Sequence, residues 1–163
     1  MIDFVAIPEE RMKILEKDKS WETKLKKFLE VDVVLNEDVK IEAEDPIQAL
    51  RAKEIFKAFG RGFDFESSLG LVDEEYGLEI IELKNYAGKS KDRQTELKGR
   101  IIGTKGKMKG DIEKMTNCKI CVFGKTASII GRWEDLRIAK RAIEMLLEGA
   151  MHTTVYKFLV KRR

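Results

Sequence analysis

At 163 residues, with 43% hydrophobic and 37% charged side chains, the chain can bury one or two compact cores, and its formal net charge is only +3. No run approaches the ~18 consecutive apolar residues of a membrane-spanning helix. The opening residues do not read as a signal peptide, so a cytoplasmic protein with no membrane partner is expected.

In chain order, the first strand is expected at Asp3 to Ile7, then a short helix opened by Pro8, a second helix, a hairpin around Asn36-Glu37 and a helix from Pro46 to Phe59. In Gly60-Arg61-Gly62-Phe63, Gly60 reads as a helix cap and Phe63 as a core anchor. Arg61 is a cation able to stack on a base or meet a phosphate. Residues 64–76 read as a linker, with Asp73-Glu74-Glu75 as a hydrophilic turn. Gly77 to Leu83 supplies another strand, and Met108, Ile112 and Met115 then recur at helical spacing until Asn117, which can adopt the left-handed conformation that stops a helix. A hairpin follows, with strands Lys119 to Phe123 and Thr126 to Ile130, and then an amphipathic helix from Trp133 to Leu147.

Charge divides the chain. Residues 1–83 hold 12 Lys+Arg against 21 Asp+Glu, net −9, whereas residues 84–163 hold 20 against 8, net +12. Nine basic residues lie between Lys84 and Lys109 against Asp92 and Glu96 alone, and they converge on Gly103-Thr104-Lys105-Gly106. Two glycines leave no side chain to hold a phosphate backbone away, and the next helix points its positive end at whatever docks there. Arg100, Lys105, Lys107 and Lys109 add charge on either side. The turn reads as a nucleic-acid clamp.

Ile101-Ile102-Gly-x-x-Gly followed by helix, hairpin and helix resembles a KH domain of the βααββα kind over residues 77–149. Lys109 departs from that pattern, standing where many KH domains carry an aliphatic residue. Shifting the sequence by 87 residues places Ile14-Leu15 on Ile101-Ile102, Leu25 on Ile112, Phe28 on Met115 and Ala52-Lys53 on Ala139-Lys140. The first half thus reads as a second copy of the fold, with Glu16-Lys17-Asp18-Lys19 in place of the clamp, where carboxylates oppose a phosphate. The expected architecture is α+β. It comprises a degenerate KH-like domain at 1–63, the linker at 64–76, a KH domain at 77–149 and an apolar and basic extension at 150–163.

Two such halves resemble the archaeal and eukaryotic Pno/Dim/Krr group of small-subunit ribosome assembly factors. The residues carrying this are Gly60 to Phe63, the run Leu97 to Lys107, the hairpin Val122 to Thr126, and His152 to Leu159. The resemblance implies a single-stranded-RNA-binding protein on the 3′ region of small-subunit ribosomal RNA. It also implies assembly-protein partners, including an rRNA-processing nuclease, and a first domain that docks or packs rather than clamps. The expected groove holds about four nucleotides. Gly103 and Gly106 would admit the backbone, and Arg100, Thr104, Lys105, Lys107 and Lys109 would line the phosphate path. Ile101, Ile102, Ile120 and Val122 would form or support the floor, and Arg61 would be an outlying contact.

Other patterns are weaker. Cys118-Lys119-Ile120-Cys121 falls on a strand, where i and i+3 face opposite ways, and with one histidine the chain cannot complete a zinc site without carboxylates or a second chain. Gly103 to Lys107 lacks the Ser or Thr of a Walker loop. No catalytic residues, metal or cofactor are therefore expected, and a monomer that is not an enzyme is. Two alternatives stay open: a protein-interaction scaffold whose GxxG is structural, and a general RNA regulator or exosome-type RNA chaperone. At the C-terminal end Val155, Phe158 and Leu159 would share a helical face, leaving Lys157, Lys161, Arg162 and Arg163 for RNA.

Overall fold

A computed structural model of the chain describes residues 1–161. The chain forms two units, one from Met1 to Tyr76 and one from Gly77 onward. Each is a three-stranded antiparallel sheet packed on helices.

In the first unit, β1 (Ile2–Val5), α1 (Glu9–Lys17), α2 (Ser20–Lys26), β2 (Asp32–Leu35), β3 (Val39–Glu42) and α3 (Pro46–Gly60) follow in that order. β3 is central, pairing Lys40 with Phe4 on one side and Val34 on the other. Its alternate residues Val39 and Ile41 are fully buried, as period-two patterning requires. Pro46 opens α3, and the Asp45 carboxylate accepts the Ile47 N–H.

Three sequence expectations change here. β1 ends at Val5, and Ile7 packs on α3 so tightly that a Cβ at Gly60 would lie 2.7 Å from its Cγ2. Gly60 is therefore the last helical residue, present for close packing, and the positive φ of 103° belongs to Gly62. Residues 64–76 are not a linker. Asp64 caps α4 (Phe65–Leu69), and Phe65 packs 5.8 Å from Phe56 and 6.0 Å from Trp21, ring centre to ring centre. A 3₁₀ turn (Gly70–Val72) then buries Leu71, and the Val72 carbonyl accepts from Arg51.

The second unit runs β4 (Tyr76–Glu82), α5 (Lys84–Ala87), α6 (Lys91–Ile102), a 3₁₀ turn (Thr104–Gly106), α7 (Lys107–Thr116), β5 (Lys119–Phe123), β6 (Thr126–Arg132), α8 (Trp133–Leu147) and α9 (His152–Lys161). The sheet order is β4-β6-β5, which leaves β5 at an edge. Ser90 caps α6, and Asn117, at φ 57° and ψ 36°, ends α7 in the left-handed conformation. Leu97, Ile101, Ile112, Ile129, Ala139 and Ile143 fill the core. On α9, Val155 and Leu159 are fully buried and Phe158 and Tyr156, half-buried, pack against the same core, so Val155, Phe158 and Leu159 share a packed face as expected. Arg162 and Arg163 lie outside the described residues.

The two units end their long helices identically. Gly62 N–H bonds Phe59 O at 3.1 Å and Phe63 N–H bonds Ala58 O at 3.3 Å; Gly149 N–H bonds Leu146 O at 3.2 Å and Ala150 N–H bonds Met145 O at 2.9 Å. An arginine then straps each cap. Arg11 donates from Nε to Phe59 O (2.9 Å) and from Nη2 to Phe63 O (2.7 Å), and Arg100 donates from Nε to Leu146 O (3.0 Å) and from Nη2 to Ala150 O. The carbonyls stand 87 residues apart but the arginines 89. At the strapping arginines the offset is therefore 89, not the 87 that sets Ile14-Leu15 on Ile101-Ile102, and a buried residue, Met12 or Ile101, follows each arginine. The second unit passes from Ile101 to the buried Met108 in two residues fewer than the first takes from Met12 to Trp21.

Candidate nucleic-acid interface

Two residues are saved because the Gly103–Gly106 turn uses left-handed backbone three times. Gly103 has φ 74° and ψ 177°, Lys105 φ 55° and ψ 28°, and Gly106 φ 74° and ψ 12°. Its glycines serve different ends. A Cβ on Gly103 would lie 2.7 Å from Met108 Cβ and 2.9 Å from Met108 N, so that glycine lets the turn close onto α7. A Cβ on Gly106 would meet nothing within 4 Å, so its backbone faces open space. No side chain caps the N-terminus of α7 among the described residues. The positive end of α7 thus lies beside Gly106, with the Lys107 N–H accepted by Thr104 O.

The expected site residues separate into three groups. Thr104 and Lys105 are exposed on the turn. Lys107, 74% exposed, bonds Asp111 at 2.9 Å, a pair weak enough in water for the ammonium to swing to another anion. Ile102 is 36% exposed and Val122 half-buried, so both can meet a ligand, whereas Ile101 and Ile120 lie in the core and act only as support. Arg100 donates from Nε and Nη2 to the carbonyls at the end of α8, so it also straps that helix end. Arg61 lies in the first unit, closing α3 with its N–H and bonding Gly60 O through Nε at 3.3 Å.

Lys109 has a neighbour that the sequence reading passed over. Its Nζ lies 3.4 Å from Glu113 Oε1, while Glu113 Oε2 accepts the Ile120 N–H at 2.9 Å, tying α7 to β5. The i, i+4 spacing of Lys109 and Glu113 was the available signal. Asp111 also went unremarked. It accepts from the Tyr156 hydroxyl and from Lys107, and those two bonds, Tyr156 first, hold its carboxyl below the usual range. α9 therefore braces the helix that follows the turn.

Cys118 is a packing group. Cys118 lies against the backbone of Gly131, and burial pushes its thiol up to about 11. No cluster of residues able to hold a metal occurs among the described residues, and no described helix is long and apolar enough to cross a membrane.

Comparison with known proteins agrees with this geometry. A family model for the second KH domain of PNO1, described as a eukaryotic-type KH domain (KH-domain type I), matches residues 77–163. The KH domain-containing protein MJ0443 of Methanocaldococcus jannaschii is 38% identical over 169 residues, covering 99% of this chain and 74% of its own. The pre-rRNA-processing protein PNO1 of Candida glabrata is 32% identical over 114 residues, covering 69% of this chain but 43% of its own. A chain in the crystal structure of the a/eIF2alpha–aDim2p–rRNA complex from Pyrococcus horikoshii superposes with a TM-score of 0.89 at 34% identity, covering 99% of this chain and 93% of its own. The turn, the edge strand and these relatives together establish that the chain belongs to the PNO1/Dim2 family of KH-domain proteins.

Proposed function

We propose that this protein binds single-stranded RNA at the Gly103–Gly106 turn and acts in assembly of the small ribosomal subunit, on the 3′ region of its rRNA. The observation that carries this is the uncapped N-terminus of α7 beside an unobstructed Gly106, with Lys105 exposed. The presence of rRNA in the complex of the Pyrococcus relative supports the same reading. Phosphates would meet the positive end of α7, Lys105 and Lys107, and bases would turn toward Ile102 and the edge of β5.

The first unit, with the same element order, is a KH-like module without a clamp, and its role is protein docking. An rRNA-processing nuclease and other assembly factors are the partners, the protein works as a monomer in the cytoplasm, and it does no chemistry of its own. Replacing Thr104 and Lys105 by aspartate tests the RNA reading. Both side chains are exposed, so the fold should stand while RNA affinity falls by on the order of a few kcal/mol. Unchanged affinity in the folded double variant would contradict it.

A further inference from the structure

The outer face of the first sheet is apolar and open. Val39 and Ile41 of β3 turn inward, so Lys40 and Glu42 turn outward together with their cross-strand partners. Phe4 and Val34 flank Lys40, and Ile2 and Asp32 flank Glu42. Phe4, Ile2 and Val34 are 56%, 52% and 49% exposed. Neighbouring strands stand only about 5 Å apart, so the three side chains form one patch and not scattered contacts. The equivalent face of the second sheet is covered: Ser128 and Ile130, which alternate on β6 with the core residues Ala127 and Ile129, are buried. The first sheet keeps bare a surface that its counterpart hides.

The β1 edge offers less than the face. Ala43 N–H bonds Met1 O at 3.0 Å, so by alternation the Phe4 N–H points away from β3, and Asp3 Oδ1 accepts it at 2.8 Å. The donor that an added strand would need is taken.

Charge decides what can lie on the face. Beside the row of Ile2, Glu42 and Asp32 is a cavity of about 880 Å³, lined by Glu30, Asp32, Glu42, Glu44 and Asp45 against Lys26. The Met1 ammonium there is tied to Ala43 O at 2.7 Å. At the other end Glu37 and Asp38 are exposed on the hairpin turn. Carboxylates thus border both ends, which repels a phosphate backbone or an acidic peptide. A partner that sets apolar side chains beside lysines or arginines matches the patch and its border together.

We propose that this face docks a protein segment combining apolar side chains with lysine or arginine. The apolar groups sit on Phe4, Ile2 and Val34, and the cations reach the acidic cavity beyond Ile2. The inference rests on the reading of the first unit as a docking module, and it names the surface and the partner's chemistry.

A photo-crosslinking benzoylphenylalanine in place of Phe4 in the whole protein tests it in cells, with the same group in place of the exposed Lys13 on α1 as a reference. Position 4 should join to protein segments that carry net positive charge beside apolar residues. Asp32→Asn/Glu42→Gln and Ile2→Thr/Val34→Thr should each cut that yield by about tenfold, with thermal melts showing both double variants folded. In solution, a peptide alternating lysine and leucine should bind the whole protein about tenfold tighter than one alternating lysine and serine or glutamate and leucine. Equal binding of the lysine–serine or the glutamate–leucine peptide would reduce the face to charge or to stickiness alone and overturn the proposal. Crosslinks from position 4 to RNA, to a second copy of the chain or to uncharged or acidic segments would overturn it, as would undiminished yield in the double variants. Protein crosslinks from position 13 alone would overturn this face and leave docking by the first unit standing. No protein crosslink from either position would overturn both readings.

Discussion

The two units share a sheet order, a glycine-terminated long helix and an arginine strapped across its end, yet they treat the entrance to their second helix in opposite ways. In the first unit the chain supplies its own anion, because Asp18 Oδ1 accepts the Ser20 N–H at 3.0 Å, a bond that also holds the Asp18 carboxyl below its ordinary range. In the second, two glycines close a shorter turn and no side chain fills the end of α7 among the described residues. A common scaffold thus yields an occupied helix entrance and an open one. The difference lies in a few residues of turn, not in the fold.

Both long helices are followed by a short one, and removing that element should have the largest effect. Truncation before Val155 exposes the sites of Val155 and Leu159, each worth roughly 1.5–3 kcal/mol when fully buried, and removes the Tyr156 bond to Asp111. The melting temperature should drop markedly. An unchanged melt with only weaker RNA binding at raised salt would show α9 to be an electrostatic arm.

The glycines of the turn should part company on substitution. Gly103→Ala meets Met108 as well as an unfavourable φ, so it should destabilise the second unit by more than the ~1–2 kcal/mol of left-handed strain. Gly106→Ala suffers that strain alone and should act mainly on RNA affinity. Equal melting shifts for the two would contradict the division between a packing glycine and an approach glycine.

The smallest effect is acid-dependent. Asp111 has a folded-state pKa below its unfolded one, so its contribution is present above the ordinary aspartate range and is lost as pH falls through the lowered value. Tyr156→Phe should therefore differ from the unsubstituted protein near neutrality, and the two melting curves should converge in strong acid. A difference that grows on acidification would reverse the sign and contradict the assignment.

Much of this architecture was legible in local pattern. The spacing of Met108, Ile112 and Met115, the β-prone run from Lys119 and the amphipathic stretch from Trp133 each declare an element from neighbouring residues. Asn117 was readable because left-handed tolerance is intrinsic to the side chain. The strapping role of Arg100 was not legible because its acceptors lie 46 and 50 residues away, beyond any sequence window. Residues 64–76 were misread because α4 has only five residues, too few to show a period, and its anchor Phe65 finds partners on α2 and α3. The packing role of Gly60 was hidden for a related reason: the neighbour that excludes a side chain there is Ile7, from the start of the chain.

The central claim is that one entrance is closed by its own carboxylate and the other is open to RNA. Parallel titration of two variants with the same single-stranded RNA tests it most directly. In one, Glu16 and Asp18 become Gln and Asn while Lys17 and Lys19 become Gln; in the other, Thr104 and Lys105 become Ala and Gln. The account predicts nearly unchanged affinity for the first and loss of most binding for the second, with both folded. Comparable losses from both turns would make the first unit a working RNA clamp and contradict the account.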